Sequence, residues 1–239
     1  MIWTVLRLAL KPGSWPRTVR DVFARQLLFT GVEALRFIGL VGVLVGISVV
    51  LQAQLWLGKF GQSALLGPIL VAVVVREAGP LLASFIVIAR SGTAIAAELA
   101  SMRVNNEIRV LDAQGIEPLV YLVMPRVLGV AVSILCLGIV FVAVSLGSGY
   151  LCGVLLRVSP ADPRMFTESV FGAIGRADFA NLLAKTLIPG LLTGGICCLE
   201  GLSVMGSITE VPQAATRSVV RSIGALFVVS AVVSLLTYA

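Results

Sequence analysis

Histidine is absent from this sequence, and charged residues are scarce. Of the 239 residues, 58% are hydrophobic and only 13% are charged, against roughly 25% charged in a soluble domain. The missing histidine excludes a Ser–His–Asp triad and a histidine-ligated metal, so we predict no catalytic residue and no metal. The low charge excludes a disordered chain and indicates one integral membrane domain over residues 1–239.

A phosphate-binding loop is also missing. The pattern GxxxxGK[ST] does not occur, so any ATP that drives this protein must be hydrolysed by another chain. The formal net charge of +6 could indicate nucleic acid binding. Because the arginines cluster beside apolar runs, we assign the charge to membrane topology and anionic lipid headgroups, and predict no nucleic acid partner.

Five apolar segments are long enough to cross a bilayer, which takes about 20 residues as a helix. We therefore predict an all-α membrane protein with transmembrane helices at 37–57, 64–89, 127–151, 187–207 and 223–239. Arginines precede the first segment and follow the second and the fourth. The positive-inside rule then predicts a cytoplasmic N-terminus and a periplasmic C-terminus, although the arginines between 157 and 178 conflict mildly.

The N-terminal residues 1–35 do not read as a membrane span. Val19, Phe23 and Leu27 recur at helical spacing between arginines, a pattern typical of an amphipathic helix that lies in the membrane interface. A solvated basic tail is the alternative.

The longest polar segment is 98–118. Val104, Ile108 and Leu111 form an apolar stripe at helical spacing there, and Pro118 stops the helix. Such a helix on the cytoplasmic face could dock on another protein. A connecting loop with a plain surface helix is the alternative.

Two adjacent charges lie within the second predicted span. Arg76 and Glu77 are neighbours in sequence, so they point to different sides of a helix and each needs its own partner. Pro80 removes the hydrogen bond to the Arg76 carbonyl and predicts a kink. A guanidinium beside a freed carbonyl could bind a phosphate; a purely structural ion pair is the alternative.

The fourth predicted span repeats this pattern. Lys185 precedes the helix-kinking Pro189 by four residues. Lys185 could line the same polar site or be an anchor that reaches the membrane surface. Glu200, farther along, could pair with an arginine of another helix or stay protonated.

The first predicted span combines small and polar residues. Gly42 and Gly46 form a GxxxG motif, which permits close approach of another helix. Gln52 and Gln54 follow near its outer end and indicate a polar-lined cavity or hydrogen bonds between helices.

Several stretches, taken together and in order, resemble the MlaE/YrbE permease family from about Gln26 to the C-terminus. They are 26–31, 42–52, Arg76-Glu77-Ala78-Gly79-Pro80, 89–99, 102–128 and 215–220. The sequence departs from the family pattern at Ala78, Ala89 and Ala100, and at Leu199-Glu200, where two tyrosines are usual. The last departure alters the chemistry of the cavity most.

The resemblance implies a permease subunit without enzymatic activity of its own, located in the bacterial inner membrane. Family members are homodimers that bind an ABC ATPase, which holds ATP and Mg²⁺, and they act with an MCE-domain protein, commonly a hexameric ring. A small STAS-domain subunit can join them. They move phospholipid or related lipid between inner and outer membranes, which maintains outer-membrane lipid asymmetry.

The resemblance also implies roles for particular residues. It makes the 98–118 segment a coupling helix that docks on the ATPase, and it implies a short outer-face helix near 160–176. The predicted coupling residues are Glu98, Val104, Glu107, Ile108 and Leu111.

A lipid cavity follows as a hypothesis. Its apolar wall is predicted to include Leu51, Leu55 and Trp56. Gln52, Arg76 and Lys185 would meet the headgroup, with Glu77 positioning Arg76.

Two other functions remain open at the level of sequence. One is a stand-alone secondary transporter or channel that uses an intramembrane relay of Arg76, Glu77 and Glu200. The absence of an internal repeat weighs against it. The other is a membrane scaffold without transport activity.

Overall fold

The computed structural model describes residues 2–9, 16–59, 66–156 and 163–238. This part of the chain is helical and contains no strand. The predicted all-α fold is thereby confirmed. Its α-helices are α1 (Ile2–Ala9), α2 (Arg17–Leu27), α3 (Glu33–Lys59), α4 (Leu66–Leu70), α5 (Gly79–Val87), α6 (Thr93–Val104), α7 (Glu107–Ala113), α8 (Met124–Leu155), α9 (Pro163–Ala173), α10 (Arg176–Leu202) and α11 (Val211–Tyr238).

Some of these helices run on through π-helical turns. The π-helical turns are Leu28–Val32, Val71–Ala78, Ile88–Gly92 and Leu119–Val123, and a 3₁₀ turn at Ile208–Glu210 precedes α11. Joined in this way, the elements give five helices long and apolar enough to cross a membrane. We name them spans 1 to 5: Arg17–Leu57, Leu66–Val104, Leu119–Leu155, Arg176–Leu202 and Ile208–Thr237.

Most spans extend beyond the predicted segments, because a hydropathy criterion sees only the apolar middle of a helix whose polar ends stay helical. The predicted N-terminal helix is not separate from the first span, whereas its location in the membrane interface stays a prediction. From Arg17 the chain runs without a break into span 1, since no proline interrupts it and Gly31 is absorbed in a π turn. Residues 1, 10–15, 64–65, 160–162 and 239 of the predicted segments lie outside the described part.

The core of the bundle is made by spans 2, 3 and 4. In their most apolar stretches 56%, 50% and 56% of the residues are buried, against 28% in span 1 and 22% in span 5. Span 3 contacts spans 1, 2 and 4, and span 5 packs on spans 2 and 4. Spans 1 and 5 therefore expose most of their apolar surface outside this single chain.

Span 1 is held to span 3 by close backbone approach. A Cβ built on Gly46 would lie 2.1 Å from the carbonyl oxygen of Ser145, so only glycine fits at this crossing. Ser145 Oγ also donates to the Gly42 carbonyl at 3.0 Å. The predicted GxxxG motif thus serves packing within the chain.

Two short helices connect the spans. Helix α7 follows span 2 after Asn106, whose φ of 60° turns the chain sharply. Helix α9 follows span 3 and packs on α4, the first turn of span 2.

Candidate functional site: a charged cluster between spans 2, 4 and 5

The backbone of span 2 changes its winding just before Pro80. The π-helical turn Val71–Ala78 ends there, and Gly79 and Pro80 begin α5. Proline has no N–H to donate, so a carbonyl in the preceding turn loses its usual partner. The Arg76 carbonyl accepts instead from Lys185 Nζ at 3.1 Å and Asn181 Nδ2 at 3.3 Å. Span 4 supplies both donors.

Arg76 and Glu77 each have a partner on span 4. Arg76 Nε lies 2.7 Å from Asp178 Oδ1, and Lys185 Nζ donates to Glu77 Oε1 at 2.5 Å. Span 5 adds Ser234, whose Oγ donates to the same Glu77 oxygen at 2.8 Å. We call this group the charged cluster; its members are Arg76, Glu77, Asp178, Asn181, Lys185 and Ser234.

The charges of the cluster balance, with two cations and two carboxylates. Lys185 is only 1% exposed and Asp178 is equally deep, and an unpaired ion at such depth would cost several kcal/mol. Asp178 Oδ2 also accepts from the Gly175 N–H at 2.8 Å, at the N-terminus of span 4 where the helix dipole favours an anion. Lys185 is thus a buried partner, and the alternative of a surface anchor is wrong.

Arg76 and Glu77 are the accessible members of the cluster. Their side chains are 31% and 44% exposed. An apolar cavity of about 370 Å³ adjoins Glu77 and lies between spans 2 and 5, with Phe85 and Phe227 in its lining. A charged group at the edge of an apolar cavity suits a molecule with a polar head and an apolar body.

The predicted apolar wall lies on span 1. Leu55 and Trp56 are 51% and 62% exposed, Gln52 is exposed and Leu51 is half-buried. These side chains face outward from the single chain. Gln54, by contrast, is buried: a Cβ built on Gly153 of span 3 would lie 2.6 Å from its Oε1.

The two predicted kinks differ in structure. Pro80 lies where the π-helical turn of span 2 gives way to α5, whereas Pro189 lies inside the unbroken α-helix of span 4. Gly190, next to Pro189, touches the backbone of Ala131 on span 3. Pro189 is therefore accommodated within a tightly packed helix.

The predicted docking stripe faces the bundle. Ile108 is 5% exposed and packs in the core, Leu111 packs against the same core, and Val104 is partly buried beside Val211. The expectation that this stripe itself contacts a partner needs correction, because these side chains attach α7 to its own chain. Helix α7 instead exposes Glu107, Arg109, Val110 and Asp112.

Glu98, the first predicted coupling residue, is held by span 3. Its Oε1 accepts from Arg126 Nη2 at 2.8 Å, and Arg126 Nη1 donates to the Leu122 carbonyl at 3.0 Å. The Arg126 side chain is 7% exposed and that of Glu98 57%.

Comparison with known protein families gives a match to the family model described as Permease MlaE, over residues 23–236. The chain belongs to the MlaE permease family. The motif resemblance noted from the sequence is confirmed.

Relatives of this MlaE-family chain include a probable ABC transporter permease of Rickettsia conorii, 30% identical over 208 residues, or 87% of this chain and 79% of the relative. The intermembrane phospholipid transport system permease protein MlaE of Haemophilus influenzae is 26% identical, over 84% of this chain and 77% of the relative. The chloroplastic protein TRIGALACTOSYLDIACYLGLYCEROL 1 of Arabidopsis thaliana is 26% identical, over 96% of this chain and 64% of the relative. The chain is an ABC transporter permease, a role that implies an ATPase partner.

Glu200 forms a second ionic site of the MlaE-family chain, near the other end of span 5. Its carboxylate pairs with Arg221 and with Arg217, whose Nε lies 3.4 Å from Oε2. Of the two alternatives left by the sequence, pairing with arginines of another helix is the one found.

Sequence reasoning missed the deepest anion of the charged cluster. Asp178, Asn181 and Lys185 stand at i, i+3 and i+7, so they share one face of span 4. That spacing was readable. The hydropathy criterion starts the apolar segment at residue 187 and therefore leaves Asp178 and Asn181 outside the predicted span.

Proposed function

We propose that this chain is the permease subunit of an ABC transporter that moves phospholipid or a related hydrophobic lipid between the inner membrane and an MCE-domain protein. A separate ATPase binds ATP and Mg²⁺ and supplies the energy, so the permease itself is not an enzyme. Family membership supports the transporter role, and the name of the Haemophilus influenzae relative, an intermembrane phospholipid transport permease, supports phospholipid as cargo.

The arrangement at Arg76 and Glu77 carries the proposal. Both side chains are accessible and Glu77 adjoins an apolar cavity, while Asp178 and Lys185 hold the two charges from the buried side. An arginine fork binds phosphate oxygens with two parallel hydrogen bonds. The headgroup therefore meets Arg76 and Glu77, and the acyl chains lie along apolar walls.

Two copies of the permease enclose the lipid path. Spans 1 and 5 are the least buried, and a second copy covers part of this surface, including Leu55 and Trp56. The N-terminus lies in the cytoplasm and the C-terminus in the periplasm. The MCE ring then sits near the charged cluster, and the ATPase, with a STAS-domain subunit where present, sits at the α7 end.

The ATPase docks on the exposed face of α7. Glu107, Arg109, Val110 and Asp112 are available there, while Ile108 fastens the helix to the bundle core. A push on α7 is thereby transmitted to spans 2 and 3.

An ion relay is less well supported. Glu200 pairs with Arg217 near the start of span 5, and Glu77 binds Ser234 near its end. At 1.5 Å per helical residue these positions are about 25 Å apart. A proton or ion hop over that distance needs intermediate groups.

The test uses Arg76→Lys, which keeps the charge but loses the planar fork. The complex is purified through a tag on this chain, and ATP-dependent movement of fluorescent phospholipid is measured in proteoliposomes. We expect the ATPase to copurify and transport to fall about tenfold, the equivalent of one charge-assisted hydrogen bond.

Arg221→Lys is the matched control, because this arginine lies in the other ionic site. Its transport rate should stay near that of the unmodified protein. Lipid movement without ATP, or purification without any ATPase, would contradict the proposal and favour the stand-alone transporter. Equal rates for the two variants would remove Arg76 from the lipid path.

A further inference from the structure

A second cavity lies far from the charged cluster, at the other end of span 2. It has a volume of about 480 Å³ and lies between α2, α6 and the beginning of span 3. On span 2, Arg76 lies at the level of the charged cluster and Glu98 at the level of the second cavity. At 1.5 Å per residue they are about 30 Å apart, which is the thickness of the hydrocarbon core of a bilayer.

The lining of this cavity is amphiphilic. Val22, Phe29, Met102 and Leu122 give it an apolar side. Polar groups gather on the other side, namely Arg25, Gln26, Glu98, Tyr121 and Arg126. A purely aqueous ion would leave the apolar side unused, whereas a lipid would contact both.

The charge of the lining favours an anion. Arg126 is buried and its charge is offset by Glu98. Arg25 is exposed, and within the described residues no carboxylate lies in ion-pair distance of it. The lining therefore carries one positive charge in excess, beside the phenol of Tyr121.

The rim of the cavity is fixed by a separate ion pair. Arg90 Nη2 donates to Glu33 Oε2 at 2.5 Å, and Arg90 Nη1 donates to the Phe29 carbonyl at 3.2 Å. The same guanidinium stacks on the Phe29 ring at 5.4 Å. These contacts connect spans 1 and 2 and keep Phe29 in place at the rim.

The surrounding surface changes from charged to apolar at the same level. Arg17, Arg20 and Arg25 are exposed on α2, and Leu28 and Val32 just beyond them are each 59% exposed. That boundary is where lipid headgroups meet acyl chains.

We propose that this cavity binds one anionic phospholipid from the leaflet at the α2 end, with its phosphate at Arg25 and Tyr121 and its acyl chains along Phe29 and Met102. The site is separate from the charged cluster. It rests on the membrane location of the chain and not on the proposed transport activity. Free phosphate shares the headgroup chemistry, so the test must distinguish the two.

The experiment measures equilibrium binding of acyl-labelled phosphatidylglycerol to the full-length protein, purified with its accompanying partners in a neutral detergent and without ATP. Arg25→Glu is compared with Arg20→Glu, which makes the same charge change on the same helix outside the cavity. One basic residue near a lipid surface contributes roughly fivefold in affinity. We expect Arg25→Glu to weaken binding by at least about fivefold and Arg20→Glu by clearly less.

A neutral variant separates the cavity from surface charge. Ala94 lines the cavity and is half-buried, so Ala94→Phe fills space without changing charge. We expect this variant to lose labelled phosphatidylglycerol binding and to keep its thermal unfolding midpoint. Labelled phosphatidylcholine should bind the unmodified protein more weakly, because its headgroup has no net charge.

Three results would overturn the proposal. One is an equal loss in Arg25→Glu and Arg20→Glu, which indicates general surface attraction. Another is unchanged binding in Ala94→Phe. The third is displacement of the lipid by inorganic phosphate as effective as by unlabelled phosphatidylglycerol, which indicates a site for the free anion.

Discussion

Two ionic sites of the bundle, the charged cluster and the Glu200 site, differ in the ions they bury. In the charged cluster the deepest cation is Lys185, and its carboxylate partner Glu77 is 44% exposed. At the other site the buried ion is a carboxylate, Glu200, and its partners Arg217 and Arg221 are 48% and 66% exposed. Asp178 in the charged cluster is as deep as Lys185, so one site buries an ion of each sign and the other buries an anion alone.

The two sites also differ in how many helices lose a contact when the buried ion loses its partner. Lys185 also binds the Arg76 carbonyl and sits among spans 2, 4 and 5, so losing it affects three helices. Glu200 joins only the neighbouring spans 4 and 5, and its arginines can turn to water or to headgroups. The charged cluster should therefore matter more for stability than the Glu200 site, which fastens two neighbouring spans.

The largest expected effect is that of Lys185→Ala. It leaves Glu77 with Ser234 and the Arg76 carbonyl with Asn181 as their remaining donors, and breaking an ion pair with a buried partner costs up to about 3–5 kcal/mol. We expect a large drop in the thermal unfolding midpoint of the purified protein. The double variant Lys185→Met with Glu77→Gln removes both charges and should recover much of that drop. If Lys185→Ala alone were as stable as the unmodified protein, the Lys185–Glu77 pair would contribute nothing to stability.

A smaller effect is expected for Glu200→Gln. Glutamine still accepts a hydrogen bond, and the exposed arginines remain solvated, so the loss is about 1–3 kcal/mol. The unfolding midpoint, measured in the same detergent, should fall less than in Lys185→Ala. A larger fall would reverse the contrast between the two sites.

The smallest effect is expected for Arg221→Ala. Arg221 is itself exposed to solvent, so its pairing contributes only about 0–1 kcal/mol, and Arg217 remains to compensate the buried Glu200. The change in midpoint should shrink further at high salt, because exposed charges are screened. Arg217→Ala serves as the comparison, and its unfolding midpoint should change by about as much as that of Arg221→Ala. Removing both arginines should cost more than the sum of the two single changes.

Much of the fold could be predicted from composition and hydropathy. The five spans follow from apolar runs, and the Gly42–Gly46 contact follows from a short motif. The ends of the spans could not be predicted in this way. A polar helix end such as Arg17–Leu27 stays helical because it packs on the bundle and contains no helix-breaking residue. A hydropathy scale measures neither property.

The charged cluster could be predicted only in part. That Arg76 and Glu77 need different partners follows from their adjacency, but Asp178 lies about a hundred residues away and is brought close only by helix packing. The α7 stripe shows the same limit. Its spacing predicts that Ile108 faces an apolar surface, but it does not tell whether that surface belongs to the same chain.

The contact between Lys185 and the Arg76 carbonyl has a consequence for how this protein can diversify. Every amino acid carries a backbone carbonyl, so any substitution at position 76 keeps this acceptor for Lys185. This hydrogen bond between span 4 and span 2 is then retained whatever side chain position 76 carries. The ion pair with Asp178 is not retained, so a substitution that removes the positive charge at position 76 calls for a matching change at position 178 of span 4.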